Sequence, residues 1–243
     1  MSNDQANCMS SFQTQLEDGI KESKLFNYVY GYPSKRAYRK FPDPIKIDDI
    51  WNNNTQDVNI YIHVPFCKQR CAYCTLFTTT KHTPELIETY VKKVCEQIKF
   101  YSGYAKNRLL TSIYFGGGTP TTLSQQQFER IFQTIDKYYT KKSDDIETNV
   151  EGTPSDLTLP MLQALHSFGV NRISIGVQTL NPDEIKKTGR KSNAVVLDTL
   201  ENIRSLYSNF NVDLIYGLPA QTRESWLMTL NKILEYQIGR AHV

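Results

Sequence analysis

The chain has 243 residues, of which 40% are hydrophobic and 12% aromatic, enough to build a sizeable core and to exclude global disorder. Its 28 lysines and arginines are scattered and offset by 25 acidic residues, so the net charge of +3 does not predict nucleic-acid binding. No apolar run approaches the ~18 residues that cross a bilayer, and the polar N-terminus lacks a signal-peptide core; the expectation is a cytoplasmic protein with reduced thiols and no membrane partner.

Residues 1–54 read as an N-terminal extension. Tyr28, Tyr30, Tyr32, Pro33, Tyr38, Pro42 and Pro44 make it aromatic and proline-punctuated, which suits a segment lying extended on a larger body, and Asn52-Asn53-Asn54 reads as a loop. From Val58 the pattern becomes regular. Val58–Val64 predicts a strand stopped by Pro65. Pro84–Tyr104 predicts a long helix, with Leu86, Ile87, Tyr90, Val91, Val94 and Ile98 at helical spacing. Ser112–Phe115 is a strand running into Gly116-Gly117-Gly118. Ser124 caps the next helix, with Gln127 three residues on as in a capping box and Phe128, Ile131, Phe132 and Ile135 as its apolar stripe. Ile146–Val150 is a third strand, and Leu159–Phe168 a helix that tolerates Pro160 in its first turn and closes at Gly169. Arg172–Val177 is a fourth strand, Ser192–Tyr207 a helix, Val212–Tyr216 a fifth strand and Thr222–Tyr236 a further helix.

Short apolar strands alternating with amphipathic helices predict βαβ units and a parallel sheet, hence an α/β protein. A complete (β/α)8 barrel takes ~250 residues, more than remain after the extension. The expected architecture is therefore a partial, TIM-like (β/α)6 barrel over residues 55–237. Residues 238–243, Ile-Gly-Arg-Ala-His-Val, read as a non-native tail, with the natural chain expected to continue beyond it.

The chemistry concentrates on cysteine. Of Cys8, Cys67, Cys71, Cys74 and Cys95, three form the run Cys67-Lys68-Gln69-Arg70-Cys71-Ala72-Tyr73-Cys74 directly after the first strand. An odd number with three clustered does not resemble a disulfide framework. Three thiolates on a short loop can each hold one iron of a cubane and leave the fourth iron open to a ligand. A zinc site would need a fourth protein ligand, for which His63 and His82 are the nearby candidates; unligated thiols are the remaining alternative. Cys8 lies in the N-terminal tail, and Cys95 sits beside a helical apolar stripe as a core residue would.

Tyr61-Ile62-His63-Val64-Pro65-Phe66-Cys67, the cysteine run itself and Gly116-Gly117-Gly118-Thr119-Pro120-Thr121 resemble the radical S-adenosylmethionine superfamily, in its coproporphyrinogen III oxidase-like (HemN-like) branch. Gly176-Val177-Gln178 and Asp213-Leu214-Ile215-Tyr216-Gly217-Leu218-Pro219 extend the resemblance, which runs from about Tyr61 to Trp226. It implies a barrel of the radical S-adenosylmethionine type and two cofactors, a [4Fe–4S] cluster on Cys67, Cys71 and Cys74 and S-adenosylmethionine chelated at the open iron. It implies an oxidoreductase that cleaves the sulfonium by one electron to a 5′-deoxyadenosyl radical, which abstracts hydrogen from a small-molecule substrate, a porphyrinogen or heme among the candidates. A low-potential electron donor would be a partner.

By the same resemblance Tyr61 and Tyr73 pack around S-adenosylmethionine, Gly117, Gly118 and Thr119 let backbone approach its amine, Glu151 and Asp213 suit its ribose hydroxyls or sulfonium, Gln178 contacts it, and Arg190 faces its carboxylate. The residues read without it allow a plainer role for each: a tight turn at the glycines, helix caps or loop hydrogen bonds at Glu151 and Asp213, and a solvated basic face where Arg190 neighbours Lys186, Lys187 and Lys191. The sequence departs from the coproporphyrinogen oxidases in one place. Two positions after the third cysteine they carry a further cysteine, where this chain has Leu76. Thr75-Leu76-Phe77 is closer to the heme-chaperone and uncharacterised branches, so the first expectation is a HemN-like enzyme acting on an unidentified substrate or on coproporphyrinogen III, a heme-binding or heme-transfer protein is a second, and a zinc-stabilised, non-catalytic domain a third.

Overall fold

The computed structural model describes residues 43–51, 56–190, 195–236 and 240–242. Cys8, the aromatic segment through Pro42, Asn52-Asn53-Asn54 and the predicted helix start at Ser192 lie outside them. The chain divides into two compact units, residues 1–50 and 51–243. Of the first, residues 43–50 are described, among them most of the short helix α1 (Ile47–Trp51), which buries none of its residues.

The second unit alternates strands and helices in chain order: β1 (Val58–Val64), α2 (Pro84–Ser102), β2 (Leu110–Gly117), α3 (Gln125–Tyr138), β3 (Lys142–Gly152), α4 (Leu159–Ser167), β4 (Arg172–Gln178), α5 (Pro182–Lys187), α6 (Val196–Leu206), β5 (Phe210–Leu214), α7 (Arg223–Leu234) and β6 (Arg240–His242). All strands pair in parallel, in the order β1-β2-β3-β4-β5-β6. Parallel neighbours joined by right-handed helical crossovers keep every helix on one side and curl the sheet, as in a barrel. The expected α/β partial barrel is the fold observed. Its last strand falls in the segment read as a non-native tail, with Val212 paired to Ala241 and Asp213 to His242.

The two faces of the sheet differ. Ile113 and Phe115 of β2, Val150 of β3, Ile173 and Ile175 of β4 and Val212 of β5 point outward, all nearly or fully buried beneath the helices. Helix α3 fills that layer with Phe128, Ile131, Phe132 and Ile135, and Phe115 meets the rings of Phe128 and Phe132 at 5.3 and 5.2 Å. Each such side chain contributes on the order of 1.5–3 kcal/mol by leaving water. Its start is fixed by the capping box seen in sequence, Ser124 accepting from the Gln127 amide at 3.2 Å and Gln127 accepting from the Ser124 amide at 3.0 Å.

The alternate residues, Tyr114, Asn149, Glu151, Ser174, Gly176, Asn211 and Asp213, point to the concave side. Asn149, Ser174 and Asn211 are buried there at 0%, 4% and 3% exposure. Polar groups buried on an inner face belong to a barrel interior, where they bond one another; Ser174 donates to Asn149 at 3.0 Å. Among the described residues no helix is long and apolar enough to cross a membrane.

Candidate functional site

The strands deliver their chemistry at their C-terminal ends, the functional end of a parallel barrel. There the loop after β1, the glycines ending β2, and the ends of β3, β4 and β5 enclose a cavity of about 490 Å³, within the range of small-molecule sites. Cys67, Cys71 and Cys74 line one wall; Gly117, Gly118 and Thr119, then Glu151, Gln178, Arg190 and Asp213, line the rest, with Tyr73 between. Of the residues singled out in sequence, Tyr61 stands outside. It is 59% exposed, its ring lies 5.8 Å from that of Tyr114, and its hydroxyl donates to His63 Nδ1 at 3.2 Å.

The cysteine loop is tied to its surroundings. The Cys67 amide donates to the Thr79 carbonyl at 3.0 Å, and Thr119 donates to Cys67 Sγ at 3.5 Å. Burial pushes the Cys67 thiol up, and the Thr119 hydrogen bond offsets part of this. Lys68 reaches across to Asp156 in the loop after β3, whose other oxygen accepts from Thr153 at 3.0 Å. On the opposite side the Ala72 amide donates to the Thr188 carbonyl at 3.0 Å. The Lys68–Asp156 link was missed in sequence, although Asp156 follows a strand end and so sits where functional carboxylates gather.

The glycines are required by space. A Cβ on Gly118 would lie 2.7 Å from the Phe66 carbonyl, 2.9 Å from that of Val64 and 3.0 Å from Cys67 Sγ. Gly117 has φ +107 and would meet the His63 ring at 2.7 Å. The turn therefore lies flat against the cysteine loop.

Glu151 accepts from the Tyr114 hydroxyl at 2.6 Å and the Gly117 amide at 3.3 Å. Burial raises its pKa, the Tyr114 hydrogen bond opposes this, and Asp213 adds to the rise. Gln178 is buried with φ +73, a left-handed conformation uncommon outside glycine, at a register shift ending β4. Arg190 donates to the Gly176 carbonyl. Its guanidinium thus faces the cavity, away from the basic surface that its neighbours suggested.

The sequence profile of the Radical SAM superfamily matches residues 61–233. The chain belongs to that superfamily. Among curated relatives, the heme chaperone HemW of Lactococcus lactis is 37% identical over 180 residues, covering 73% of this chain and 46% of its own. The oxygen-independent coproporphyrinogen III oxidase of Salmonella typhimurium is 27% identical over 238 residues, covering 95% and 52%. The solved coproporphyrinogen III oxidase (HemN) of Escherichia coli, a radical SAM enzyme, superposes with a TM-score of 0.71 at 26% identity, over 78% of this chain and 45% of that one. The chain spans about half the length of the curated relatives it matches.

The cofactors of a radical SAM chain are a [4Fe–4S] cluster and S-adenosylmethionine, and the cavity fits both. Its donor set is three thiols on one wall, the ligand type of iron–sulfur clusters. Among the described residues no three His, Cys, Asp or Glu side chains converge on a point that could hold a single ion. The two histidines named as candidates for completing a zinc site have backbone partners: His63 Nε2 donates to the Phe77 carbonyl at 2.9 Å, and His82 Nε2 lies 3.3 Å from the Cys67 carbonyl.

Proposed function

We propose that this chain is the cofactor-binding part of a radical SAM enzyme acting on a tetrapyrrole, a porphyrinogen or heme. The carrying observation is that three cysteine thiols, a side-chain-free glycine wall, the carboxylates of Glu151 and Asp213 and the guanidinium of Arg190 line a single cavity of about 490 Å³. Cys67, Cys71 and Cys74 would hold three irons. Gly117, Gly118 and Thr119 would leave room for the amino-acid end of S-adenosylmethionine, Arg190 would pair with its carboxylate, and Glu151, Gln178 and Asp213 would accept or donate hydrogen bonds along the nucleoside, with Tyr73 packed beside it. When bound, the reduced cluster and the sulfonium supply a one-electron cleavage that yields a hydrogen-abstracting radical; a low-potential donor supplies the electron. The tetrapyrrole assignment is supported by the names of the relatives, heme chaperone and coproporphyrinogen III oxidase.

Anaerobic reconstitution with iron and sulfide tests the core of this reading. Four irons per chain, with 5′-deoxyadenosine released on reduction in the presence of S-adenosylmethionine, are expected. A stable zinc complex that excludes iron would overturn it. Replacing Cys67 with Ala should abolish cluster assembly.

Leu76 favours a second reading within the same family, a heme-binding chaperone. It lines the cavity at 38% exposure where the oxidases place a cysteine, and the 37% identical relative carries the name heme chaperone. Titration with heme separates the two: stoichiometric, stable uptake without substrate turnover favours the chaperone, and decarboxylation of coproporphyrinogen III favours the oxidase.

A further inference from the structure

Below the cavity wall lies a carboxylate that the proposed chemistry does not use. Glu184, on the six-residue helix α5, is 1% exposed, and among the described residues no lysine, arginine or histidine forms an ion pair with it. Three neutral donors hold it instead. Thr179 Oγ1 donates to Oε2 at 2.6 Å, Gln221 Nε2 donates to the same oxygen at 3.4 Å, and Ser225 Oγ donates to Oε1. These donors come from three segments: the turn after β4, the loop after β5, and the first turn of α7. Gln221 extends the connection, donating to the Ile215 carbonyl at 3.0 Å and accepting from the Gly217 amide at 2.6 Å.

The far end of α5 meets the site. The helix stops at Thr188, whose carbonyl accepts the Ala72 amide at 3.0 Å, between Cys71 and Cys74. Two residues later Arg190 donates to the Gly176 carbonyl and faces the cavity. A helix of six residues cannot hold its own position, and α5 buries only Glu184 and Ile185. An apolar side chain would fill the same space without taking a charge out of water. Directional hydrogen bonds to both carboxylate oxygens accomplish what apolar packing would not: they fix the rotation of the helix.

We infer that Glu184 is a positioning residue, whose buried carboxylate pins α5 so that Thr188 holds the cysteine loop at Ala72 and Arg190 stays on the cavity wall. The inference rests on the radical SAM reading of that cavity.

The test uses the full chain and the variants Glu184→Gln and Ile135→Ala, the latter a loss of buried side chain at the last turn of α3. In the metal-free protein, hydrogen exchange at the Ala72 amide should accelerate about tenfold in Glu184→Gln, at a temperature where every variant is folded, and stay unchanged in Ile135→Ala. After reconstitution, Glu184→Gln should keep four irons yet bind S-adenosylmethionine about tenfold more weakly, while Ile135→Ala binds as the parent does. Exchange and affinity in Glu184→Gln equal to the parent's would overturn the inference. Equal shifts in both variants would overturn it too, by reducing the role to general stability. Should Glu184→Gln not fold, Ser225→Ala removes one donor and leaves the carboxylate; it should give the same two shifts at smaller size, and no shift counts against the proposal. A parent protein that assembles no cluster sinks the radical SAM reading itself, while the exchange at Ala72 still reports on the strut.

Discussion

The Tyr114 hydroxyl and the Glu151 carboxylate are joined by a 2.6 Å hydrogen bond across neighbouring strands, β2 and β3, with the Gly117 amide completing the clasp at 3.3 Å. This fixes a carboxylate on the cavity wall, with its charge taken partly out of water. Replacing Glu151 with Gln keeps the shape and removes the charge. Losing one charge-assisted hydrogen bond costs ~1.5–3 kcal/mol, so S-adenosylmethionine affinity should fall at least about tenfold while cluster iron is retained. Calorimetric titration of the reconstituted variant checks this, and an unchanged Kd rules out the role proposed for Glu151.

The same burial makes a pH prediction for the metal-free protein. The native pKa of Glu151 is raised, mainly by desolvation, above the unfolded value of about 4.3. Its contribution to stability is therefore fully present below that value and is lost as pH rises through the native pKa; above it the fold carries a buried charge. Melting of Glu151→Gln should match the parent near pH 4 and exceed it at pH 7.5. A difference that runs the other way contradicts the burial account.

Gly118 leads to a steric prediction. The atoms its missing Cβ would strike include two backbone carbonyls, of Phe66 and Val64, which cannot swing aside. Gly118→Ala should cost about 1–3 kcal/mol by overpacking and displace Cys67 Sγ, lowering iron incorporation. Gly169→Ala is the control: its φ is +87 but nothing lies within 4 Å, so it should lose stability alone, with iron content unchanged. Urea melts and iron analysis on both variants separate strain from site damage.

The outer layer of the fold was legible because it follows simple periodicities. Val58–Val64 is a strand in sequence and in structure, and the stripe Phe128, Ile131, Phe132 and Ile135 is the buried face of α3. Strand ends were harder. β2 extends to Gly117 because Gly116 and Gly117 pair with His63 and Val64, although glycine gives no strand signal. β5 runs Phe210–Leu214 instead of Val212–Tyr216, since the inward Asn211 and Asp213 break the apolar run that marks a buried strand. Helix α5 passed unseen at six residues, too short for a periodic stripe, though Asn181-Pro182-Asp183 is a helix-start signal. In the site, the cysteines and glycines announced themselves by spacing. Arg190 could not, because its approach to the Gly176 carbonyl depends on packing between segments that sequence spacing does not report.

The link between Lys68 and Asp156 is asymmetric, with side-chain exposures of 69% and 4%. Removing the exposed partner, Lys68→Ala, should cost about 1 kcal/mol or less. Asp156→Ala also removes an acceptor of the Thr153 hydroxyl and should cost about 1–3 kcal/mol. Denaturant melts of the metal-free variants rank the two. A larger loss for Lys68→Ala would mean that the lysine, not the buried carboxylate, holds the loop after β3.

Gly176 makes a contrasting case to Gly118. A Cβ there would meet Gln178 Nε2 at 2.9 Å and Arg190 Nη2 at 3.2 Å, both tips of flexible side chains. Such atoms can move, so Gly176→Ala should melt within a few degrees of the parent, an effect of about 0.5 kcal/mol or less. The movement, however, displaces the two polar groups proposed to meet the cofactor from β4 and the segment after α5. S-adenosylmethionine affinity should therefore fall several-fold in a protein whose stability and iron content are intact. A variant that binds as tightly as the parent would show that neither Gln178 nor Arg190 depends on the space Gly176 leaves open, and that the cavity wall at β4 is more tolerant than its geometry implies.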